Sequence, residues 1–242
     1  MPYETKHIVF LHGWGQSIAS WQNNLPFFER NGFTCTAIKL PGFDLPDPPS
    51  YWGVPEYVAF VEQELLSLRA RYGAVKLMVV GHSFGGRLAI YMASTKPEYI
   101  SALVLTGAAG IGTKPGVLKA LSTNASALLR TLETRFGKLH VLRQAAIDLI
   151  GSKDYRHASP TMREVLKNVV DLDLEPYLLG IHCPTLLVWG EKDRVTPFSA
   201  ANVLRKNIAS SQLELIHGAA HFAHVTEFSS WNNTVYRFLV SV

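Results

Sequence analysis

The chain has 242 residues, of which 48% are hydrophobic and 17% are charged, so it is long enough for one large α/β domain with a sizeable buried core. The formal net charge of +4 is modest and the basic residues are scattered, which argues against a nucleic-acid-binding protein. No run approaches the roughly 18 consecutive apolar residues of a membrane span. The first residues lack the regions of a signal peptide, and we expect a cytoplasmic protein.

Two cysteines, Cys35 and Cys183, lie in apolar strand-like segments far apart in the sequence. This spacing is not typical of a disulfide framework or of a metal site. We therefore expect two buried free thiols, no bound metal and no cofactor.

Strand-like and helix-like segments alternate along most of the chain, which predicts a parallel sheet covered by helices. Several strand-like segments are apolar almost throughout, as expected for strands that are buried on both faces. We predict strands at 6–11, 33–39, 75–80, 101–106, 184–189 and 211–216. We predict helices at 17–30, 54–71, 84–95, 198–207 and 224–240.

This alternation stops between residues 110 and 180, where no segment resembles a strand and apolar residues such as Leu128, Leu132 and Phe136 follow helical spacing. An ordinary crossover helix is the alternative, but a crossover usually needs only about a dozen residues. We therefore predict a core formed by residues 1–109 and 181–242, with residues 110–180 inserted as a helical lid.

The segment GHSFG at 81–85 matches the pattern G-x-S-x-G and lies between an apolar strand and a helix-like run. This context predicts a nucleophile elbow, in which the serine occupies a strained turn from strand to helix. The residues two before and two after the serine come close together there, so glycine suits Gly81 and Gly85, and Gly86 would let the helix pack closely. The elbow would expose the Ser83 hydroxyl near a helix N-terminus, where N–H groups stabilise an anion.

A serine hydroxyl needs a base to accept its proton, and in folds with this elbow the chain order is serine, acid, histidine. Glu191 and Asp193 follow the strand-like segment PTLLVWG. A carboxylate directly after the strand would point at the strand mouth, whereas one in the loop can reach a histidine, so we favour Asp193. An acid after the preceding strand would be an alternative, but the loop GAAGIGTK at that position contains none.

Three histidines, His217, His221 and His224, follow the last predicted strand. His217 ends the strand and is expected to pack there, while His224 falls inside the next helix and is expected to be partly exposed. His221 lies in a Gly-Ala-Ala-His loop, whose small residues would let the imidazole approach the serine, so we favour it as the base. His82 is expected to pack beneath the elbow.

An oxyanion formed by attack on a carbonyl requires N–H donors, and two backbone groups are candidates. One is the N–H of Phe84, directly after the serine. The other is the N–H of Trp14, because the glycines of the HGWG loop after the first strand let the backbone approach a substrate. The Trp14 side chain has two open interpretations, a pocket wall or a part of the core.

The segments FLHGWG, LPGF, GHSFGG, PTLLVWGEKD and GAAHF resemble, in order, the landmarks of the α/β-hydrolase superfamily from residue 8 to about 222. The resemblance implies an α/β-hydrolase fold with a triad of Ser83, Asp193 and His221 under a helical cap. A serine at the elbow argues against the haloalkane dehalogenases and epoxide hydrolases of this superfamily. Only about five residues precede the first strand, so we expect a trimmed sheet of six parallel strands without the usual antiparallel edge strand.

These features together predict a cofactor-independent serine hydrolase, first of all a carboxylesterase acting on small-molecule esters with small to medium acyl groups. Carbon–carbon bond hydrolysis or elimination on a carboxylated substrate is the alternative, since the sequence Gly-Gly-Arg87 after the elbow resembles that of menaquinone-synthesis enzymes, which recognise acidic substrates. For Arg87 we nevertheless favour a solvated position on the helix. A non-catalytic ligand receptor is a third hypothesis. Lys153, Arg156 and Arg163 are pocket cations or, in the interpretation we favour, surface charges; the sequence makes no prediction of oligomeric state.

Overall fold

The computed structural model describes residues 6–73, 76–111 and 158–242 of the chain. Within these ranges, six parallel strands form one sheet with the order β2-β1-β3-β4-β5-β6. The strands are β1 (Lys6–Leu11), β2 (Thr34–Ala37), β3 (Lys76–His82), β4 (Ala102–Thr106), β5 (Thr185–Gly190) and β6 (Ser211–Ile216). The predicted six-stranded parallel sheet is confirmed.

Helices flank the sheet. They are α1 (Leu25–Arg30), α2 (Val54–Tyr72), α3 (Phe84–Thr95), α4 (Pro160–Asp171), α5 (Phe198–Asn207), α6 (Ala223–Thr226) and α7 (Phe228–Ser241). Short 3-10 helices are found at Ile18–Trp21, Pro97–Tyr99 and Glu175–Gly180. None of the described helices combines the length and the apolar character needed to span a lipid bilayer.

The sheet separates two hydrophobic cores. Side chains of a strand point alternately to its two faces, so Val9 and Leu11 pack with residues of α2, α3 and α5 on one side. Ile8 and Phe10 pack with residues of α1 and α7 on the other. All four side chains are fully buried, which explains why this strand is apolar along most of its length.

Two predicted helices are divided in the structure. The predicted helix at 17–30 becomes a 3-10 turn followed by α1, and Pro26 lies in the first turn of α1, where its missing N–H costs no helical hydrogen bond. The predicted helix at 224–240 is interrupted at Glu227, whose φ of −118° and ψ of 40° lie outside the helical region. This break separates α6 from α7.

Both cysteines are free and only partly buried, which corrects the expectation of full burial. Cys35 lies on β2, which is at the edge of the sheet and has every residue partly exposed. Burial is still sufficient, together with Glu29, to raise the pKa of the Cys35 thiol to about 12. This thiol therefore stays protonated and is not a nucleophile.

The strand order places a crevice at the carboxyl ends of β1 and β3. From β1 the chain moves outward to β2, and it then returns to place β3 on the other side of β1. In open parallel sheets, ligands bind at such a reversal of strand order. The loop after β1 and the turn after β3, which carry the predicted functional groups, both lie at this crevice.

The described end of the predicted lid, residues 158–180, is helical, with Ser159 accepting a hydrogen bond from the Met162 N–H (3.1 Å) at the start of α4. The N–H of Leu174 donates to the carbonyl oxygen of Gly110 (3.2 Å), so two described parts of the predicted lid, one near each of its ends, are joined. Residues 112–157 lie outside the described ranges, and the division into core and lid stays a prediction.

Candidate active site

Ser83 forms the sharp turn between β3 and α3, with φ of 49° and ψ of −108°. Among the described residues it is the one non-glycine residue with a positive φ, a conformation that costs free energy and is found at functional turns. A Cβ atom on Gly81 would lie 2.6 Å from the carbonyl oxygen of Gly85, so glycine is required where the strand and the helix converge. The structure therefore has the strand–turn–helix geometry that the G-x-S-x-G pattern predicts.

Gly85 brings the end of β1 against the elbow. A Cβ atom on Gly85 would lie 2.1 Å from the carbonyl oxygen of Leu11, a distance that no side chain tolerates. The Gly85 N–H donates to the carbonyl oxygen of His12 (3.0 Å). The loop after β1 is thus held beside the first turn of α3.

The two predicted oxyanion donors lie on these adjoining segments. Neither the Trp14 N–H nor the Phe84 N–H donates to an acceptor within the part of the chain that the structure describes. The carbonyl oxygen of Gly13 accepts hydrogen bonds from His12 Nδ1 (2.9 Å) and from the Gln16 N–H (3.2 Å). Since this carbonyl shares a planar trans peptide with the Trp14 N–H, these bonds also fix the direction of that N–H.

The Trp14 side chain is half-buried and packs against the core. Its ring makes edge contacts with the rings of Phe43 and Phe84, at centroid distances of 5.0 and 5.3 Å. Of the two open interpretations, the structure therefore favours a part of the core.

Asp193 and His221 form a buried pair. His221 Nδ1 donates to Asp193 Oδ2 over 2.8 Å, and only 1% of the Asp193 side chain is exposed. Burial alone would raise the pKa of this carboxyl, but hydrogen bonds from His221 and Thr196 outweigh it and hold the pKa below its ordinary value. Asp193 is therefore an anion at neutral pH, able to orient the imidazole and stabilise its protonated form.

This pair lies beside the elbow, at the end of β4. The Ser83 N–H donates to the carbonyl oxygen of Thr106, the last residue of β4 (3.1 Å). The next residue, Gly107, has a φ of +51°, and a Cβ atom there would lie 3.1 Å from His221 Nδ1 and 3.2 Å from Asp193 Oδ2. The glycine therefore makes room for the pair next to the serine turn.

His82 connects the elbow directly to the histidine loop. It is buried as predicted, and its Nε2 donates to the carbonyl oxygen of His221 (3.0 Å). Its Nδ1 lies 2.8 Å from Oε1 of Gln16, which also accepts the Gly13 N–H (2.9 Å). His82 thus links the loop that carries His221 to the loop after β1.

The competing acid and one competing base lie at the surface. Glu191 is exposed and accepts a hydrogen bond from the Gly218 N–H (3.0 Å), and the Nδ1 atom of His217 lies 3.8 Å from Oε2 of Glu191. The prediction that His217 packs at the end of its strand is wrong, because its side chain is 87% exposed. Half of the residues of edge strand β6 are exposed, and His217 extends this exposed edge.

His224 is also placed differently from the prediction, since it is fully buried rather than partly exposed. Helix α6 turns its side chain inward, where the ring packs at a tilted angle against Trp21 (4.4 Å between centroids) and His82 (4.3 Å). Burial and the nearby His221 lower the pKa of His224 to about 3. His224 therefore remains neutral and serves as a packing residue.

Arg87 is buried as well, and its prediction as a solvated residue is wrong. Its guanidinium Nη1 donates to the carbonyl oxygens of Val169 (2.6 Å) and Leu172 (2.7 Å) at the end of α4. Burial lowers the Arg87 pKa to about 10, with Asp173 acting in the opposite direction, so the group stays charged. This cation binds the C-terminal end of a helix, where carbonyl oxygens attract positive charge.

The other three basic residues considered above lie in or near the predicted lid. Arg163 is partly exposed, and its Nε donates to the carbonyl oxygen of Ala158 (3.2 Å). Lys153 and Arg156 lie outside the described ranges.

Sequence reasoning missed Gln16, Gly107 and Thr196 as parts of this site. Thr196 carries a recognisable signal, because a hydroxyl three residues after a loop aspartate is typical of a side-chain-capped turn. Its N–H and that of Val195 donate to Asp193 Oδ1 (3.0 and 2.9 Å). Gly107 carries no such local signal, since its contacts are with residues distant in sequence; Gln16 bonds its neighbour Gly13, but its contact with His82 is also distant in sequence.

Comparisons with known proteins agree with this architecture. A family model described as the alpha/beta hydrolase fold matches residues 6–228. The chain is 26% identical to a 2-hydroxy-6-oxononadienedioate/2-hydroxy-6-oxononatrienedioate hydrolase of Klebsiella pneumoniae, covering 96% of this chain and 86% of the relative. It is 26% identical to a pimeloyl-[acyl-carrier protein] methyl ester esterase of Vibrio vulnificus, covering 93% and 90%. The structure of MenH from S. aureus superposes with a TM-score of 0.73 at 22% identity, covering 99% and 97%, and supports the fold.

Gly107→Ala is expected to reduce the reactivity of Ser83 towards a fluorophosphonate probe on the order of tenfold or more, because the added methyl group would displace the His221–Asp193 pair. The labelling rate of the purified variant measures this effect. Gly218→Ala is the matched control, since Gly218 has a φ of +75° but nothing within 4 Å of an added Cβ. Equal labelling rates for the two variants would contradict the assigned role of Gly107.

Proposed function

The chain belongs to the α/β-hydrolase family, and from this premise we propose that it is a cofactor-independent serine hydrolase that cleaves carboxylic esters with small to medium acyl groups. One observation carries the proposal. A strained elbow serine lies beside a buried Asp–His pair and beside two backbone N–H groups that donate to no acceptor in the described ranges. Ester hydrolysis requires these groups: a nucleophile, a base and donors for an oxyanion.

The first half of the reaction forms an acyl-enzyme. His221 accepts the proton of the Ser83 hydroxyl as its oxygen attacks the ester carbonyl, and Asp193 stabilises the resulting imidazolium. The Trp14 and Phe84 N–H groups hold the negative oxygen of the tetrahedral intermediate. His221 then donates its proton to the leaving alcohol, and the serine ester remains.

The second half returns the enzyme to its starting state. His221 removes a proton from a water molecule, which attacks the acyl carbonyl while the same two N–H groups hold the oxyanion. Collapse of this intermediate releases the carboxylic acid and reprotonates Ser83. Besides the substrate and this water molecule, each step uses side chains and backbone N–H groups of this chain.

Substrate choice is assigned to the proposed lid, residues 110–180. Its described end is fixed to the elbow helix through Arg87, whose backbone N–H also donates to the Ser83 carbonyl oxygen (3.0 Å). Remote parts of a substrate that contact the lid would supply binding energy, whereas the triad would perform the chemistry. The lid would therefore govern acyl chain length without contributing a triad residue.

Carbon–carbon bond hydrolysis is a second candidate, favoured by the similarity to a hydrolase named for dienedioate substrates. The same triad would serve that reaction. Recognition of a substrate carboxylate by Arg87 is disfavoured, because its guanidinium is buried and bonded to two carbonyl oxygens. The esterase among the relatives supports the first candidate.

The two candidates are distinguished by assaying p-nitrophenyl esters from acetate to palmitate beside a 2-hydroxy-6-oxodienoate substrate. The proposal expects the higher kcat/KM on an ester in the short to medium range. A higher value on the dienoate would assign carbon–carbon hydrolysis instead. Negligible turnover of every substrate with tight binding of one of them would indicate a receptor.

Ser83→Ala is expected to lower esterase activity by on the order of 10⁴-fold or more, since no other group supplies the nucleophile. The variant should remain folded, because only one hydroxyl is lost. A fluorophosphonate probe should label the unmodified protein at Ser83 and should not label the variant. Labelling at another residue, or retained turnover, would reject Ser83 as the nucleophile.

Asp193→Asn is expected to lower kcat on the order of 10³-fold or more, because an amide can stabilise the wrong imidazole tautomer. Glu191→Gln is the matched control on the same loop and should change kcat by less than about threefold, since Glu191 is solvent-exposed. Steady-state kinetics of both variants decide between the two acids. A greater loss in the glutamate variant would reverse the assignment.

A further inference from the structure

The Asp193 carboxylate receives four hydrogen bonds within the described ranges, two on each oxygen. The Val195 and Thr196 N–H groups donate to Oδ1, at 2.9 and 3.0 Å. On Oδ2, the Thr196 hydroxyl (2.8 Å) and His221 Nδ1 (2.8 Å) donate together. The threonine hydroxyl and the imidazole therefore share one carboxylate oxygen.

We propose that Thr196 is a positioning residue that sets the pH at which His221 becomes an active base, by competing with the imidazole for Asp193 Oδ2. This inference rests on the proposed function, in which neutral His221 deprotonates Ser83. A carboxylate oxygen that already accepts a hydrogen bond from a hydroxyl group attracts the imidazolium proton less strongly. The hydroxyl therefore favours neutral His221 and keeps the base active at lower pH.

Hydrogen bonds to both the carbonyl oxygen and the N–H of Thr196 hold this residue, and therefore its hydroxyl, in place. The Thr196 carbonyl oxygen accepts the indole N–H of Trp189 (2.8 Å), and its own N–H is bonded to Asp193 Oδ1. The residue is only 7% exposed, so solvent competes little for its hydroxyl. Thr196 Oγ1 also lies 3.3 Å from His221 Nδ1, so the competing groups lie side by side.

The titratable side chains around His221 should not obscure the effect of its protonation on a pH–rate profile. Within the described ranges, Asp193 approaches it from the loop after β5, His82 from the end of β3, and His224 lies behind His82. Burial, with its histidine neighbours, keeps the pKa of His82 well below its ordinary value, and burial lowers the pKa of His224 to about 3. Both rings therefore favour the neutral form near neutral pH, so neither His82 nor His224 should contribute to the acid limb of a pH–rate profile there.

The experiment compares the pH dependence of kcat/KM for p-nitrophenyl butyrate in the unmodified protein, Thr196→Val and Thr196→Ser. Valine keeps the shape of threonine and removes the hydroxyl, so the midpoint of the acid limb should rise by about 0.5–1 pH unit. The rate on the alkaline plateau should stay within about threefold. Serine keeps the hydroxyl and should restore the original midpoint to within about 0.2 pH unit.

An unchanged midpoint in a folded Thr196→Val variant would overturn the inference, as would equal shifts in the valine and serine variants. If Thr196→Val does not fold, Thr196→Ala also removes the hydroxyl and takes its place: a rise of the midpoint supports the inference and an unchanged midpoint overturns it. An NMR titration of the His221 ring tests the same shift without turnover. A shift in that titration together with an unlabelled Ser83 would sustain the role of Thr196 and reject the proposed hydrolase.

Discussion

The close approach of backbone to backbone at the elbow is the constraint on which the rest of the site depends. Gly81 and Gly85 have no Cβ atoms, so the end of β3, the first turn of α3 and the end of β1 converge where any side chain would clash. The convergence places the loop that carries Trp14 beside the turn that carries Ser83. It also leaves Ser83 in an unfavourable backbone conformation, which the surrounding sheet and helix must stabilise.

A similar contact positions the other half of the site. A Cβ atom on Gly190, the last residue of β5, would lie 2.1 Å from the carbonyl oxygen of Ala220, so glycine lets the loop with His221 lie against the strand that leads to Asp193. Gly107 performs the same role at the end of β4. Glycines at the carboxyl ends of three neighbouring strands thus let separate loops meet, and the parallel sheet turns residues far apart in sequence into neighbours.

The sequence predicted most of the fold, because strands β1 and β6 and helix α5 follow from local apolar patterns and match their predicted bounds. It also indicated Ser83, Asp193 and His221, since each stands at a strand end with characteristic neighbours. The burial of Arg87 and His224 was not predictable, because their partners, Val169 and Trp21, are about 80 or more positions away. Gly107 was overlooked for the same reason, since the groups that require it lie on two later loops.

The hydrogen bond between Leu174 and Gly110, together with the Arg87 contacts to the end of α4, has a consequence for how this fold can diversify. This bond joins two residues that bracket residues 112–157, the central part of the predicted lid. The entropy cost of closing a flexible loop rises only with the logarithm of its length, by roughly 0.6 kcal/mol for each doubling. Insertions of very different length and sequence can therefore be exchanged between these two residues at little cost to the core. In the proposed division into core and lid, substrate preference could then evolve almost independently of the stability of the core.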